Sequence, residues 1–190
     1  MKTGLFFGTF NPIHTGHLII AQYFINFGDL DKILFIVSPH NPLKNKEDLI
    51  DANTRLEMVR LSIEDNDKFE VSAIEFQLPL PSYTFQTLEK LKEEQPDEEF
   101  IVLMGSDSLA TIEKWKNFNY ILDYFKIYVY PRFQSNISNT CKQPPNIIFF
   151  DAPQVNISAT LIRQHLKANK SIKYLVLPKI EAYIKKANII

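Results

Sequence analysis

One cysteine, Cys141, stands among 190 residues. A lone thiol excludes an internal disulfide framework and any multi-cysteine zinc site, and it suits a reducing cytosol. Net charge is as scarce: 21 Lys and Arg against 22 Asp and Glu leave a formal charge of -1. The surface therefore has no overall field to gather a polyanion, which argues against bulk nucleic-acid binding. Long apolar runs are missing too. The most apolar stretch, Leu18 to Phe27, is interrupted by Gln22 and Asn26 and falls short of the ~20 residues a membrane span needs. Met1 to Thr9 carries one lysine and no apolar region leading to a small-residue cleavage site, so no secretion signal is expected. There is no internal repeat, low-complexity tract or dividing linker, and the length suits a single domain over 1–190. With 45% apolar and 23% charged residues, the composition is that of a folded, soluble, cytoplasmic protein.

What is present is alternation. Strand-like runs and helical patterns follow one another along the whole chain, as in parallel strands joined by crossover helices. Strands are expected at Lys2–Gly8, Lys32–Ser38, Phe69–Phe76, Glu99–Met104, Phe125–Tyr130 and Ile147–Phe150. Helices are expected at His17–Phe27, stopping at Gly28, and from Thr54, where Thr54-Arg55-Leu56-Glu57 reads as a capping box. Further helices are expected at Thr84–Glu94, Ser108–Tyr124, Ser158 to about Lys167, and Pro178 to about Ala187. Polar loops fill Pro39–Leu49 and Arg132–Pro145. Right-handed crossovers turn this order into an α/β fold: a Rossmann-like, doubly wound, mostly parallel sheet with helices on both faces. Ligands of such sheets bind beyond the carboxyl ends of the strands.

Two segments at strand-to-helix junctions carry the chemistry. In the first, Gly8-Thr9-Phe10-Asn11-Pro12-Ile13-His14-Thr15-Gly16-His17, backbone N–H groups and the helix dipole favour an anion such as phosphate. His14 and His17 are three apart, so a helix beginning by His14 puts both imidazoles on one face at its positive end, with Gly16 leaving room between them. The same residues also fit a turn cap and a core histidine. A metal pair is disfavoured, because no carboxylate ligand stands nearby. In the second segment, Ile157-Ser158-Ala159-Thr160-Leu161-Ile162-Arg163, Ser158 is a natural N-cap, Thr160 and Arg163 share a face, and Leu161 and Ile162 can turn toward the sheet. Taken alone, this is also an ordinary capped amphipathic helix.

Together, HxGH near the amino end and ISxTxIR near the carboxyl end resemble the nucleotidylyltransferase superfamily. Within it, the chain resembles the bacterial nicotinate-nucleotide adenylyltransferases. Pro42-Leu43-Lys44, Pro81-Ser82-Tyr83-Thr84-Phe85, Gly105-Ser106-Asp107 and Lys114-Trp115 add to that likeness, which runs from about Thr3 to about Ile184. In one departure, Phe7-Gly8 stands where the family usually has two glycines. His14 argues against the phosphopantetheine adenylyltransferases, which commonly have threonine there. A cytidylyl transferase and a nucleotide-sensing module without turnover are the other readings, and intact His14, His17 and Arg163 weigh against the latter.

The resemblance implies adenylyl transfer from ATP to nicotinate mononucleotide, giving nicotinate adenine dinucleotide and pyrophosphate. It casts His14, His17, Lys44 and Arg163 as catalytic, and His17 as the donor to the transferring α-phosphate. Gly8, Thr9, Phe10, Gly105, Asp107, Ser158 and Thr160 would bind the nucleotide. Tyr83, Thr84 and Trp115 would bind the acceptor, the pyridine ring stacking on Trp115 and its carboxylate meeting the N–H groups of the helix opening at Tyr83-Thr84. Other readings stay open: Asp107 as a helix cap, Thr84 or Ser82 as an N-cap, Lys44 as a solvated charge, and Trp115 as core among Leu109, Ile112 and Phe118. Magnesium is expected as a cofactor carried mainly by the ATP phosphates, with no protein ligand named. The implied partners are the two small substrates, with no nucleic acid and no membrane, and a homo-oligomer is left open.

Overall fold

The computed structural model describes residues 1–39, 49–132 and 144–189. Lys44, Cys141, and most of the loops expected at Pro39–Leu49 and Arg132–Pro145 lie outside the described residues. Six strands form one sheet in the order β3-β2-β1-β4-β5-β6. They are β1 (Lys2–Gly8), β2 (Lys32–Val37), β3 (Phe69–Ser72), β4 (Glu99–Gly105), β5 (Lys126–Tyr130) and β6 (Ile147–Phe149). Every pairing among them is parallel.

Strand side chains alternate between two cores, as the period of two requires. Phe6, Ile33, Phe35, Ile101, Leu103, Tyr128 and Tyr130 face one way. Leu5, Leu34, Ile36, Val102, Met104, Ile127 and Val129 face the other. The first core is closed by α1 (Thr15–Phe27), α2 (Ala52–Ile63), α6 (Ala159–Lys167) and α7 (Pro178–Lys186), through Phe24, Met58, Ile162 and Ile180. The second is closed by α3 (Thr84–Glu94) and α5 (Phe118–Tyr124), through Leu88 and Ile121. This is the expected doubly wound sheet, with the strand order reversing between β1 and β4, where ligands of this architecture enter. Among the described residues no helix is long and apolar enough to cross a membrane.

Three local expectations are corrected. The strand foreseen at Phe69–Phe76 ends at Ser72, and Ile74–Gln77 form a 3₁₀ turn. That turn buries Glu75, whose carboxylate accepts from Ser82 Oγ at 2.7 Å and Thr87 Oγ1 at 3.1 Å. The helix foreseen at Ser108–Tyr124 is three short pieces: α4 (Ser106–Leu109), a 3₁₀ turn at Ile112–Lys114, and α5. Trp115 is extended at ψ 139 and Asn117 left-handed at φ 52, and either conformation stops a helix. Finally, α2 is opened by Asp51 rather than by a box at Thr54, the Asp51 carboxylate accepting from the Thr54 main-chain N–H at 3.0 Å.

Candidate active site

The turn after β1 is shaped by an aromatic ring. Phe10 takes a left-handed conformation, φ 45, and buries its ring against Phe6, Phe35 and His17, at centroid distances of 6.0, 5.7 and 5.1 Å. The ring lies over Gly8, where a Cβ would come within 2.8 Å of the Phe10 Cζ. A bare backbone at Gly8 thus admits Phe10, and Thr9 is buried beside it. Gly16 behaves similarly. A Cβ there would stand 3.1 Å from His14 Nδ1 and 3.4 Å from Val155, so the room it leaves is taken by the His14 ring itself.

His14 is the N-cap residue of α1, at the positive end of the helix. Its ring stacks on that of His17, with centroids 3.6 Å apart and planes 25° from parallel. The two imidazoles share one face, as their spacing requires. The His14 main-chain N–H donates to His17 Nδ1 at 3.2 Å. Neutral His17 therefore carries its proton on Nε2, which makes Nε2 the donor. His14 is only 4% exposed. Burial, and secondarily the charge of Arg132, lower its pKa to about 3, so at neutral pH it is uncharged. Its Nδ1 is buried and makes no hydrogen bond.

The second motif meets the first across the sheet's end. Ser158 caps α6, accepting from the Leu161 N–H at 3.1 Å. Ile162 is fully buried, while Leu161 stays partly exposed. Arg163 reaches back to the β1–α1 turn: Nη1 donates to the Asn11 carbonyl at 2.8 Å and Nη2 to Thr160 Oγ1 at 3.4 Å. Its Nε is buried without a hydrogen bond. One motif thus holds the other, and both open at the carboxyl end of β1.

On the β4 side, Gly105 is the N-cap of α4 and Asp107 lies in its first turn with its carboxylate exposed. Arg132, directly past β5, donates its main-chain N–H to Ser106 Oγ at 2.8 Å, and its Nε lies 3.8 Å from Asp107 Oδ1. Arg132 also lines the hollow containing His14, His17 and Tyr130. Sequence reading passed over Arg132, although its place just beyond a strand's carboxyl end was a usable signal.

Tyr83, Thr84 and Trp115 sit apart from the histidines, against the other core. Tyr83, rather than Thr84 or Ser82, is the N-cap of α3; Ser82 is committed to Glu75. Tyr83 and Trp115 both pack on the cluster of Phe85, Leu88 and Ile112, and Lys116 Nζ lies 4.6 Å from the Tyr83 ring centre. Trp115 is half-buried, packed against the edge of that core. Among the described residues, no three His, Cys, Asp or Glu side chains converge as a metal site.

Residues 5–165 match the family described as cytidylyltransferase-like. A Flavobacterium johnsoniae protein named "Probable nicotinate-nucleotide adenylyltransferase" is 52% identical over 185 residues, spanning 97% of this chain and 96% of its own. One of the same name from Flavobacterium psychrophilum is 47% identical over 189 residues, spanning 99% and 98%. Among solved structures, the fold is similar to that of the Plasmodium falciparum nicotinic acid mononucleotide adenylyltransferase complexed with NaAD. That likeness has TM-score 0.84 and 20% identity, over 99% of this chain and 96% of that one.

Proposed function

The chain belongs to the nicotinate-nucleotide adenylyltransferase family, and from that membership and the site geometry we propose that it transfers the adenylyl group of ATP to nicotinate mononucleotide. The products are nicotinate adenine dinucleotide and pyrophosphate, a step toward NAD. The observation that carries this reading is the stacked His14–His17 pair at the head of α1, held beside Arg163.

An oxygen of the acceptor phosphate forms a bond to the α-phosphorus as the bond from that phosphorus to the bridging β-oxygen breaks. The nucleophile is already an anion, so no general base is needed, and rate comes from alignment and from fixed donors to the developing charge. His17 Nε2–H donates to the α-phosphate. Neutral His14 supports it without a charge of its own to be desolvated. Lys44, from its sequence position, and Arg163 hold the phosphates that depart. Gly8, Thr9, Phe10, Ser158 and Thr160 frame the nucleotide, and Gly105 and Asp107 meet its ribose. Magnesium accompanies ATP as a substrate counter-ion, bound mainly by phosphate and water. The first N–H groups of α3, at Thr84 and beyond, receive the acceptor's carboxylate, and Trp115 takes the pyridine ring. We place the reaction in the cytoplasm, where a single cysteine stays reduced.

A carboxamide would turn its own N–H toward those donors, leaving polar groups unpaired at ~1 to 3 kcal/mol each, or roughly tenfold to more than hundredfold in selectivity. Incubation with ATP, magnesium and each acceptor, read as pyrophosphate release, should give a much higher kcat/KM for nicotinate than for nicotinamide mononucleotide. Equal efficiencies would reject the carboxylate argument, and release with neither would reject the reading as a whole.

A further inference from the structure

Among the described residues Arg55, in the first turn of α2, is the largest fully buried side chain. Among the described residues it forms no ion pair, and burial pulls its pKa down to about 10, which leaves it charged at neutral pH. Its partners are four main-chain carbonyls. Nη1 donates to Thr9 at 2.5 Å and Ser38 at 2.7 Å, Nη2 to Pro39 at 2.8 Å, and Nε to Ile50 at 2.8 Å. Thr9 belongs to the turn that leads to His14. Ser38 and Pro39 follow β2, and Ile50 precedes α2.

The same turn is held at two more points. Asn11 Oδ1 accepts from the Ile50 N–H at 3.0 Å, and Asn11's carbonyl accepts from Arg163 at 2.8 Å. The β1–α1 turn is thus clamped from the α2 side by Arg55 and Ile50 and from the α6 side by Arg163. A planar guanidinium with five N–H groups can meet four carbonyls at once, whereas an ammonium has three donors in another geometry.

We propose that Arg55 is a positioning residue for adenylyl transfer: it fixes the β1–α1 turn against the ends of β2 and α2, so that the histidine pair meets the triphosphate at the required place. The inference rests on the adenylyltransferase reading above. Because Tyr83 and Trp115 lie against the opposite core, the effect falls on ATP and turnover and spares the acceptor.

Arg55→Lys keeps the charge and removes the fork. Its kinetics are measured well below its own thermal midpoint, varying ATP and nicotinate mononucleotide in turn. A displacement of about 1 Å at reacting groups can cost on the order of 10²-fold, so kcat/KM for ATP should fall by about that factor. The KM for nicotinate mononucleotide should stay at the wild-type value. Folded Arg55→Lys with wild-type ATP kinetics, or with a raised KM for nicotinate mononucleotide, overturns the proposal. A second measurement needs no variant: the slowly exchanging guanidinium N–H resonances of the buried arginine in the wild-type protein should shift on adding a non-hydrolysable ATP analogue and stay put with nicotinate mononucleotide. Unmoved resonances with the analogue sink the proposal as well. A wild-type protein that releases no pyrophosphate with any acceptor would instead remove the reading beneath it.

Discussion

Lowering the pH from 7 to 5 should cost the free protein about 2 kcal/mol through His14 alone. In the unfolded chain this imidazole titrates at its ordinary value of 6.5; in the fold, burial and then Arg132 hold it at about 3. Between those two values the unfolded chain binds a proton that the native protein refuses, so stability falls as the pH falls. Above 6.5 neither state is protonated and the slope vanishes. Each pH unit inside the window is worth about 1.4 kcal/mol, and pH 5 lies about 1.5 units below the unfolded value, which gives the figure of about 2 kcal/mol. For a chain of this length, that is a drop of about 4–8 °C in Tm. Other groups also titrate over this range, so the informative quantity is the difference between wild type and His14→Gln, each melted at pH 7 and pH 5 in matched ionic strength. The wild type should lose about 4–8 °C more than the variant. Parallel losses would refute the claim that His14 is held neutral by burial.

His17→Ala should lower kcat by ~10² to 10³, the cost of one lost transition-state donor, with the circular dichroism spectrum and thermal melt little changed; near-normal turnover in a folded variant removes the assigned role. Arg163→Lys loses the planar fork that reaches the Asn11 carbonyl, so kcat/KM for ATP should drop by roughly tenfold to a hundredfold, and unchanged ATP kinetics would remove its role in holding phosphate. Gly8→Ala pushes a methyl to within 2.8 Å of the Phe10 ring and should destabilise by about 1–3 kcal/mol in urea unfolding; a variant as stable as wild type would mean that the ring moves freely.

The parts of the fold legible in the sequence are those governed by local rules. β1, α3 and α7 begin and end within a residue of expectation, because alternation, Pro178 and the flanking breakers act on neighbouring residues. The segment at Phe69–Phe76 reads as a strand throughout, yet Ile74–Gln77 turns because Glu75 must reach Ser82 and Thr87. No local pattern announces a partner twelve residues away. The break at Trp115–Asn117 within a helix-like stretch is likewise decided by what Trp115 packs against. At the site, the two motifs name the residues that the fold brings together, the stacked His14–His17 pair and Arg163 of the helix capped by Ser158. The burial of Arg55 was hidden, because an arginine beside Thr54 and Glu57 reads as an exposed charge near a helix cap. Its four acceptors are carbonyls, which carry no signature in the sequence.

The bond from Arg163 to Asn11 joins residues separated by 152 positions, and Thr15 Oγ1 meets the carbonyl of Leu175 across 160. During synthesis at 5–20 residues per second, the arginine leaves the ribosome about 8–30 s after the asparagine. Throughout that interval the histidine turn lacks its α6 restraint, although β1 and α1 are already made. Nucleotide binding is therefore acquired late, when almost all of the sheet's long-range partners have arrived. Fragments ending before α6 should therefore bind ATP more weakly than the full chain.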